Sequence, residues 1–251
     1  MKFTKIEGAG NDFILIDDRS GAFSLPESEK RRLCHRNFGI GADGLILLQQ
    51  DALLRMRIFN SDGKETEGCG NGLRCLGRFL LELGFPAENT KIQVHDRIVE
   101  LFFIGDKIGV DMGAPKDLAL NIVTEKGIVH FVDTGVPHVV HVTHCDVLDE
   151  LGPFWRHHPR FAPRGANVNL VMLEEDRISV RTFERGVEGE TLACGTGACA
   201  VAATLHAELG LPYPFFLSFP GGELEVHRKN DRLILIGPAT KVFDGELRDC
   251  R

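Results

Sequence analysis

The sequence predicts an α+β fold of two similar, pseudo-symmetric lobes. Each is expected to be a curved mixed or antiparallel β-sheet, barrel-like, around a central helix, with the active site at the interface. Three observations carry this. First, Gly68-Cys69-Gly70-Asn71-Gly72 runs through Leu73-Arg74-Cys75 and an apolar stretch to Glu82-Leu83-Gly84-Phe85-Pro86. Ala193-Cys194-Gly195-Thr196-Gly197 likewise runs through Ala198-Cys199-Ala200 to Glu208-Leu209-Gly210-Leu211-Pro212, with Cys69 and Cys194 lying 125 positions apart in 251 residues. Self-similarity at half the chain length implies two copies of one unit. Second, many short strand-like stretches and few helical ones, with no regular βα alternation, argue against a parallel doubly wound sheet. Third, Ala200, Val201, Ala202, Ala203, Leu205, Ala207 and Leu209 make the second helix apolar nearly all round, as a helix enclosed by sheet should be.

The elements follow in order. Residues 2–7 and 13–17 read as strands around the turn-rich Gly8-Ala9-Gly10-Asn11-Asp12. Residues 26–37 have helical character, with Pro26 suited to a first turn and Leu33 and Cys34 facing inward. Leu45–Leu48 and Arg55–Asn60 are strand candidates, the first Cys-Gly helix covers 71–83, and strands follow at 91–95, 98–104 and 107–112. Gly113-Ala114-Pro115 marks a boundary. Beyond it lie strands near 121–125, 128–134 and 138–143, a polar helix or loop over 146–163, strands near 168–173 and 177–184, the second Cys-Gly helix over 196–209, and strands near 215–219, 222–228 and 232–236. The expected lobes are 1–113, carrying Cys69, and 114–238, carrying Cys194, with 239–251 returning to the first.

Composition narrows the function. The formal charge of −7, without a Lys/Arg cluster, argues against nucleic acid or an anionic membrane as partner. No run approaches the roughly 18 apolar residues of a membrane span, and the start lacks the apolar core of a signal peptide. A cytosolic setting is expected. The seven cysteines are an odd number in a chain without a secretory signal, so reduced thiols are expected rather than a disulfide framework.

Cys69 and Cys194 sit where a helix begins. Free amides and the helix dipole there stabilise a thiolate, and the flanking glycines let a carboxylate approach the exposed N–H groups. Two such halves facing each other would place two thiols on either side of one carbon atom. Cys34, Cys75, Cys145, Cys199 and Cys250 are more simply small buried hydrophobes. The segment Gly39-Ile40-Gly41-Ala42-Asp43-Gly44 matches GxGxxG but follows a polar stretch and precedes a strand, the wrong context for a dinucleotide site. His138, His141 and His144 fall on a strand, where side chains alternate, so a shared metal is not expected. His157-His158 reads as a solvated pair.

These motifs together resemble the diaminopimelate epimerase family. The resemblance is carried by Gly8-Ala9-Gly10-Asn11-Asp12-Phe13, the 39–44 segment, Phe59-Asn60-Ser61-Asp62-Gly63, both Cys-Gly motifs, Arg164-Gly165-Ala166-Asn167-Val168-Asn169, Glu184-Arg185-Gly186 and Phe243-Asp244-Gly245. It implies epimerisation of an amino-acid substrate without metal or organic cofactor. Cys194 would accept the α-proton of the LL isomer and Cys69 donate one to the opposite face. The amides of Gly70, Asn71, Gly195 and Thr196 would hold the reacting carboxylate. Asn11, Asn60, Asn167 and Arg185 would bind substrate, and Glu184 and His138 would tune the thiols. Val136 stands where the family often has an Asn reaching the distal end of the substrate, so a same-fold racemase of different or broader range, for glutamate or a proline derivative, is the alternative. A redox-sensing or ligand-binding protein without turnover is a third reading. Gly44 replaces a Gln of some members. Phe243 replaces a Tyr associated with dimerisation and is compatible with a homodimer.

Overall fold

The computed structural model describes residues 1–66 and 68–247. Contacts divide them into two compact units, Met1–Val110 joined by the segment from Gly237 onward, and Asp111–Ile236. The elements up to the boundary are β1 (Lys2–Gly8), β2 (Asn11–Asp17), α1 (Glu27–Cys34), β3 (Gly44–Gln50), β4 (Leu54–Asn60), β5 (Glu65–Thr66), α2 (Gly70–Glu82), β6 (Thr90–Val94), β7 (Arg97–Ile104) and β8 (Lys107–Gly113). The later ones are β9 (Lys116–Thr124), β10 (Gly127–Asp133), β11 (Pro137–Thr143), α3 (Leu148–Arg156), β12 (Asn167–Leu173), β13 (Ile178–Glu184), β14 (Gly189–Thr191), α4 (Gly195–Leu209), β15 (Phe215–Phe219), β16 (Gly222–Lys229), β17 (Arg232–Gly237) and β18 (Thr240–Glu246). No helix among the described residues is long and apolar enough to cross a membrane.

In the first unit β1 and β2 form a hairpin closed at Gly8↔Asn11. Its two-residue loop, Ala9 (φ 54°) and Gly10 (φ 82°), is left-handed at both positions, the geometry that matches strand twist. This turn sets Asn11 at the head of β2. The chain then passes through α1 to β3, parallel to β2, and turns back into antiparallel β4. One edge of β4 is shared: β5 pairs with its end and β6, reached through α2, runs parallel to its start. β7 and β8 complete a meander. Among the described residues of this unit the strand order runs from β18, antiparallel to β1, to β8, without closing into a barrel.

Helix α2 buries Leu73, Cys75, Leu76, Phe79 and Leu80. It also anchors the returning chain. Arg74 is fully buried, with Nε donating to Pro238 O at 3.3 Å, and one turn later Arg78 Nε donates to Ala239 O at 2.9 Å. Glu82 receives Lys241 at 2.7 Å, and Thr4 Oγ1 donates to Asp244 at 2.8 Å.

The second unit repeats this plan. The strand order is β9-β10-β11-β12-β13-β15-β16-β17, parallel only at β11–β12 and β13–β15, with β14 on the free end of β13. α3 occupies the place of α1, and α4 the place of α2. β9 relates to β10 as β18 does to β1: the strand after β8 belongs to the second unit, and the strand after β17 to the first. α4 is buried on nearly every side and ends at Gly210 in the left-handed region, φ 67°. Trp155 of α3 is enclosed with Val168, Leu170 and Phe183, and its Nε1 donates to Thr124 Oγ1 at 3.2 Å.

Several expectations need correction. The strand placed at 121–125 begins at Lys116, whereas the helix or loop expected over 146–163 is indeed α3 followed by a 3₁₀ turn at Pro159–Phe161. β5 and β14 are too short to show a period, and the polar, glycine-bearing β18 hides its pattern. His158 is not solvated: its ring packs against Phe154 and Phe161. Cys145 is exposed rather than buried, and Cys250 lies outside the described residues.

Gly44 pairs with Asn60, and a Cβ there would lie 2.6 Å from Phe59 O and 3.2 Å from the Phe13 ring. Backbone cannot yield as a flexible side chain can. Gly44→Ala should destabilise the fold by about 1–3 kcal/mol, read as a lowered thermal midpoint. An unchanged midpoint would mean that the β3–β4 pair relaxes freely.

Candidate active site

In the second unit Cys194 is the last extended residue (φ −124°, ψ 113°) before α4. Its Sγ accepts from Gly197 N at 3.3 Å and lies 3.4 Å from Thr196 Oγ1. Thr134 Oγ1 pins this turn by donating to Thr196 O at 2.9 Å. Hydrogen-bond donors directed at a sulfur favour its anion, and the first-turn amides of α4 have no partner within the helix. Gly197 admits no side chain: a Cβ would lie 2.5 Å from Asn169 Oδ1 and 3.3 Å from Cys194 Sγ.

His138, second residue of β11, is fully buried. Its Nδ1 lies 3.0 Å from Asn169 Nδ2 and its Nε2 3.4 Å from Asn167 Nδ2. Burial, reinforced by the Arg185 guanidinium, pushes the imidazole down to about 3. Asn167 Oδ1 accepts from Arg185 N at 2.7 Å, which ties the end of β13, with Glu184 and Arg185, to the start of β12. Arg185 Nη1 reaches Arg164 O at 3.5 Å.

In the first unit Cys69 holds the matching position before α2 (φ −148°, ψ 126°). Here Asn11 Oδ1, an acceptor, faces Sγ at 3.7 Å, and Asn71 Nδ2 approaches the same oxygen at 3.4 Å. The amide of Asn11 is oriented from behind, because its Nδ2 donates to Asp43 at 2.8 Å. Asp43 also takes Asp12 N at 3.2 Å and Arg36 at 2.7 Å. Burial alone would raise the Asp12 carboxyl, but hydrogen bonds from Arg36 and buried Lys5 outweigh it and hold Asp12 far below the usual carboxylate range. An acceptor facing a sulfur favours S–H. The contact of Cys69 with Asn11 thus differs in kind from that of Cys194 with the Gly197 amide. Nearby Cys34 is pushed by burial up to about 11, and burial drives Cys75 higher still, so neither is a nucleophile.

Among the anticipated residues, the first unit brings Asn11, Cys69, Gly70 and Asn71 together, while exposed Asn60 ends β4 opposite Gly44. The second groups Cys194, Gly195 and Thr196 at one helix start, and His138, Asn167 and Arg185 around one buried amide network. Glu184 ends β13 as Asn60 ends β4, so equivalent positions carry a carboxylate and an amide. Asp43, Asn169, Thr134 and Thr182 were not anticipated. Asn169 had a signal, because it lies two residues from Asn167 on the same strand face. His141 turns away from His138, its Nδ1 on Ile128 O at 2.8 Å and its ring on Trp155.

Comparison with known proteins gives a family by sequence and a shared fold among solved structures. The family model described as diaminopimelate epimerase matches residues 3–117 and 130–242. A diaminopimelate epimerase of Archaeoglobus fulgidus is 40% identical, covering 99% of this chain and 96% of the relative. One of a Synechococcus strain is 40% identical, covering 98% and 97%. Among solved structures, a phenazine biosynthesis protein of the PhzF family from Bacillus anthracis shares the fold with a TM-score of 0.78 at 16% identity, covering 99% of both chains. A hydroxyproline epimerase from Agrobacterium vitis does so with a TM-score of 0.70 at 16% identity, covering 98% of this chain and 91% of that one.

The depressed imidazole has a consequence for stability. The unfolded chain protonates His138 near 6.5, whereas the folded chain resists to about 3. The unfolded state thus binds more protons in that window, and native stability falls as pH drops through it. His138→Gln should flatten this part of the stability–pH curve in urea unfolding series. Parallel curves for variant and wild type would show that His138 is not held neutral.

Proposed function

Because the chain belongs to the diaminopimelate epimerase family, we propose that it interconverts LL- and meso-2,6-diaminopimelate by moving a proton at one α-carbon, with Cys194 and Cys69 as the exchanging groups. The observation that carries this reading is the pair of topologically equivalent helices, each led by a thiol, with a backbone N–H directed at Cys194 and a side-chain oxygen facing Cys69. In the LL-to-meso direction the Cys194 thiolate takes the α-proton and the Cys69 thiol delivers one to the opposite face. In reverse the roles exchange. The two sulfurs share one proton, so their titration belongs to the pair.

Negative charge grows on the reacting carboxylate as the α-carbanion forms. The first-turn amides of Gly70, Asn71, Gly195 and Thr196 are suited to hold it, as fixed dipoles that need no reorganisation. Asn11, Asn60 and Asn167 bind the polar groups of the amino acid, and Arg185 grips the distal carboxylate through two parallel hydrogen bonds. Glu184 and His138 adjust the thiols. The reaction serves lysine and peptidoglycan-precursor synthesis in the cytosol, where thiols stay reduced. Half-buried Val136, in the turn before His138, offers no side-chain hydrogen bond to the distal end and motivates a check of substrate breadth.

Proton NMR in D₂O, with diaminopimelate and glutamate side by side, tests the chemistry. Wild type should exchange the α-proton of diaminopimelate for deuterium, and Cys69→Ala and Cys194→Ala should each abolish epimerisation. Full activity in either variant would remove the two-base scheme, and faster turnover of glutamate would shift the substrate assignment. Arg185→Ala should raise KM more than it lowers kcat; an unchanged KM would put the distal grip elsewhere.

A further inference from the structure

His138 lies between two amides whose orientations the backbone dictates. Asn169 Nδ2 is 3.0 Å from Val139 O, which can only accept, so nitrogen and not oxygen faces it. The same nitrogen is 3.0 Å from His138 Nδ1, so its two N–H bonds serve the carbonyl and the ring. Asn169 Oδ1 meanwhile accepts from Thr182 Oγ1 at 2.9 Å. On the other edge Asn167 Oδ1 is taken by Arg185 N at 2.7 Å, which turns Asn167 Nδ2 toward His138 Nε2 at 3.4 Å. A neutral imidazole has one lone-pair nitrogen and one N–H. The shorter, better contact claims the lone pair at Nδ1, which leaves the proton on Nε2. An imidazolium would press an N–H against a donor amide on both edges.

We propose that Asn169 is a positioning residue that holds His138 as the neutral Nε2–H tautomer, so that the ring offers the reaction a hydrogen-bond donor and neither a base nor a cation. Burial and Arg185 act in the same direction. Asn169 Oδ1 also fills the space a side chain at Gly197 would need, and the Gly197 N–H reaches Cys194 Sγ. One amide thus orients the histidine and packs the turn that presents the thiol. What the donor is used for rests on the epimerase reading; the tautomer does not.

The test is long-range ¹⁵N–¹H correlation on the full chain labelled at histidine nitrogen, without substrate and at about pH 7, where a free imidazole would be largely neutral and unconstrained in tautomer. The His138 signals are those lost in His138→Gln. The expected pattern is Nε2–H with an unprotonated Nδ1. Asn169→Asp, whose carboxylate only accepts, should convert it to an Nδ1–H or doubly protonated ring and lower kcat more than it raises KM. A wild-type ring with Nδ1–H or two protons would overturn the proposal, as would an Asn169→Asp ring that keeps the original pattern. The wild-type spectrum decides even if the variant fails to fold. A chain with the expected tautomer that does not turn over diaminopimelate would count against the function and leave the tautomer standing.

Discussion

A cysteine at the last extended residue before a buried helix is the constraint on which both halves of this molecule depend. The sulfur can meet first-turn amides only if its own backbone stays extended while the next residue is already helical, and both Cys69 and Cys194 meet that condition. The helix behind must not move. α2 and α4 satisfy this because their first turns are packed as tightly as their middles: a Cβ on Gly72 would lie 3.0 Å from Ile58 Cδ1, and one on Gly197 still closer to Asn169. Interiors packed to that density do not deform continuously. Each thiol is thus set by the core rather than by a loop.

The two units share strand order, parallel pairings and helix placement, yet their polar chemistry has diverged. The difference comes from groups one layer back. In the first unit the Asp43 carboxylate dictates that Asn11 shows oxygen to Cys69. In the second, the Gly197 amide shows hydrogen to Cys194. Neither arrangement needs a change in fold; each needs only side chains at the same few positions.

The exchange of final strands belongs to the same economy. β9 and β18 each complete the sheet of the unit that follows in the repeat, so that β18 brings residues 240–246 back to β1. Arg74 and Arg78, one turn apart on α2, hold the returning segment by its Pro238 and Ala239 carbonyls, so the helix that presents Cys69 also binds that segment into its unit.

The sequence by itself determined the α+β class, the twofold repeat and the helix starts, which fall within one residue of the expected 71 and 196. These are local facts: glycine conformational freedom, apolar periodicity and a cysteine beside them are written in consecutive residues. β5, β14 and β18 escaped because a strand of two or three residues, or one broken by glycine, carries no period. Only the tertiary structure decided which amide faces which sulfur and which ring nitrogen of His138 carries the proton. Those outcomes follow from contacts such as Asn11 with Asp43 and Asn169 with Val139, where residues about thirty positions apart are brought within 3 Å. A hydrogen bond's direction depends on the partner's lone pairs, and the chain places those partners only when the sheet has formed.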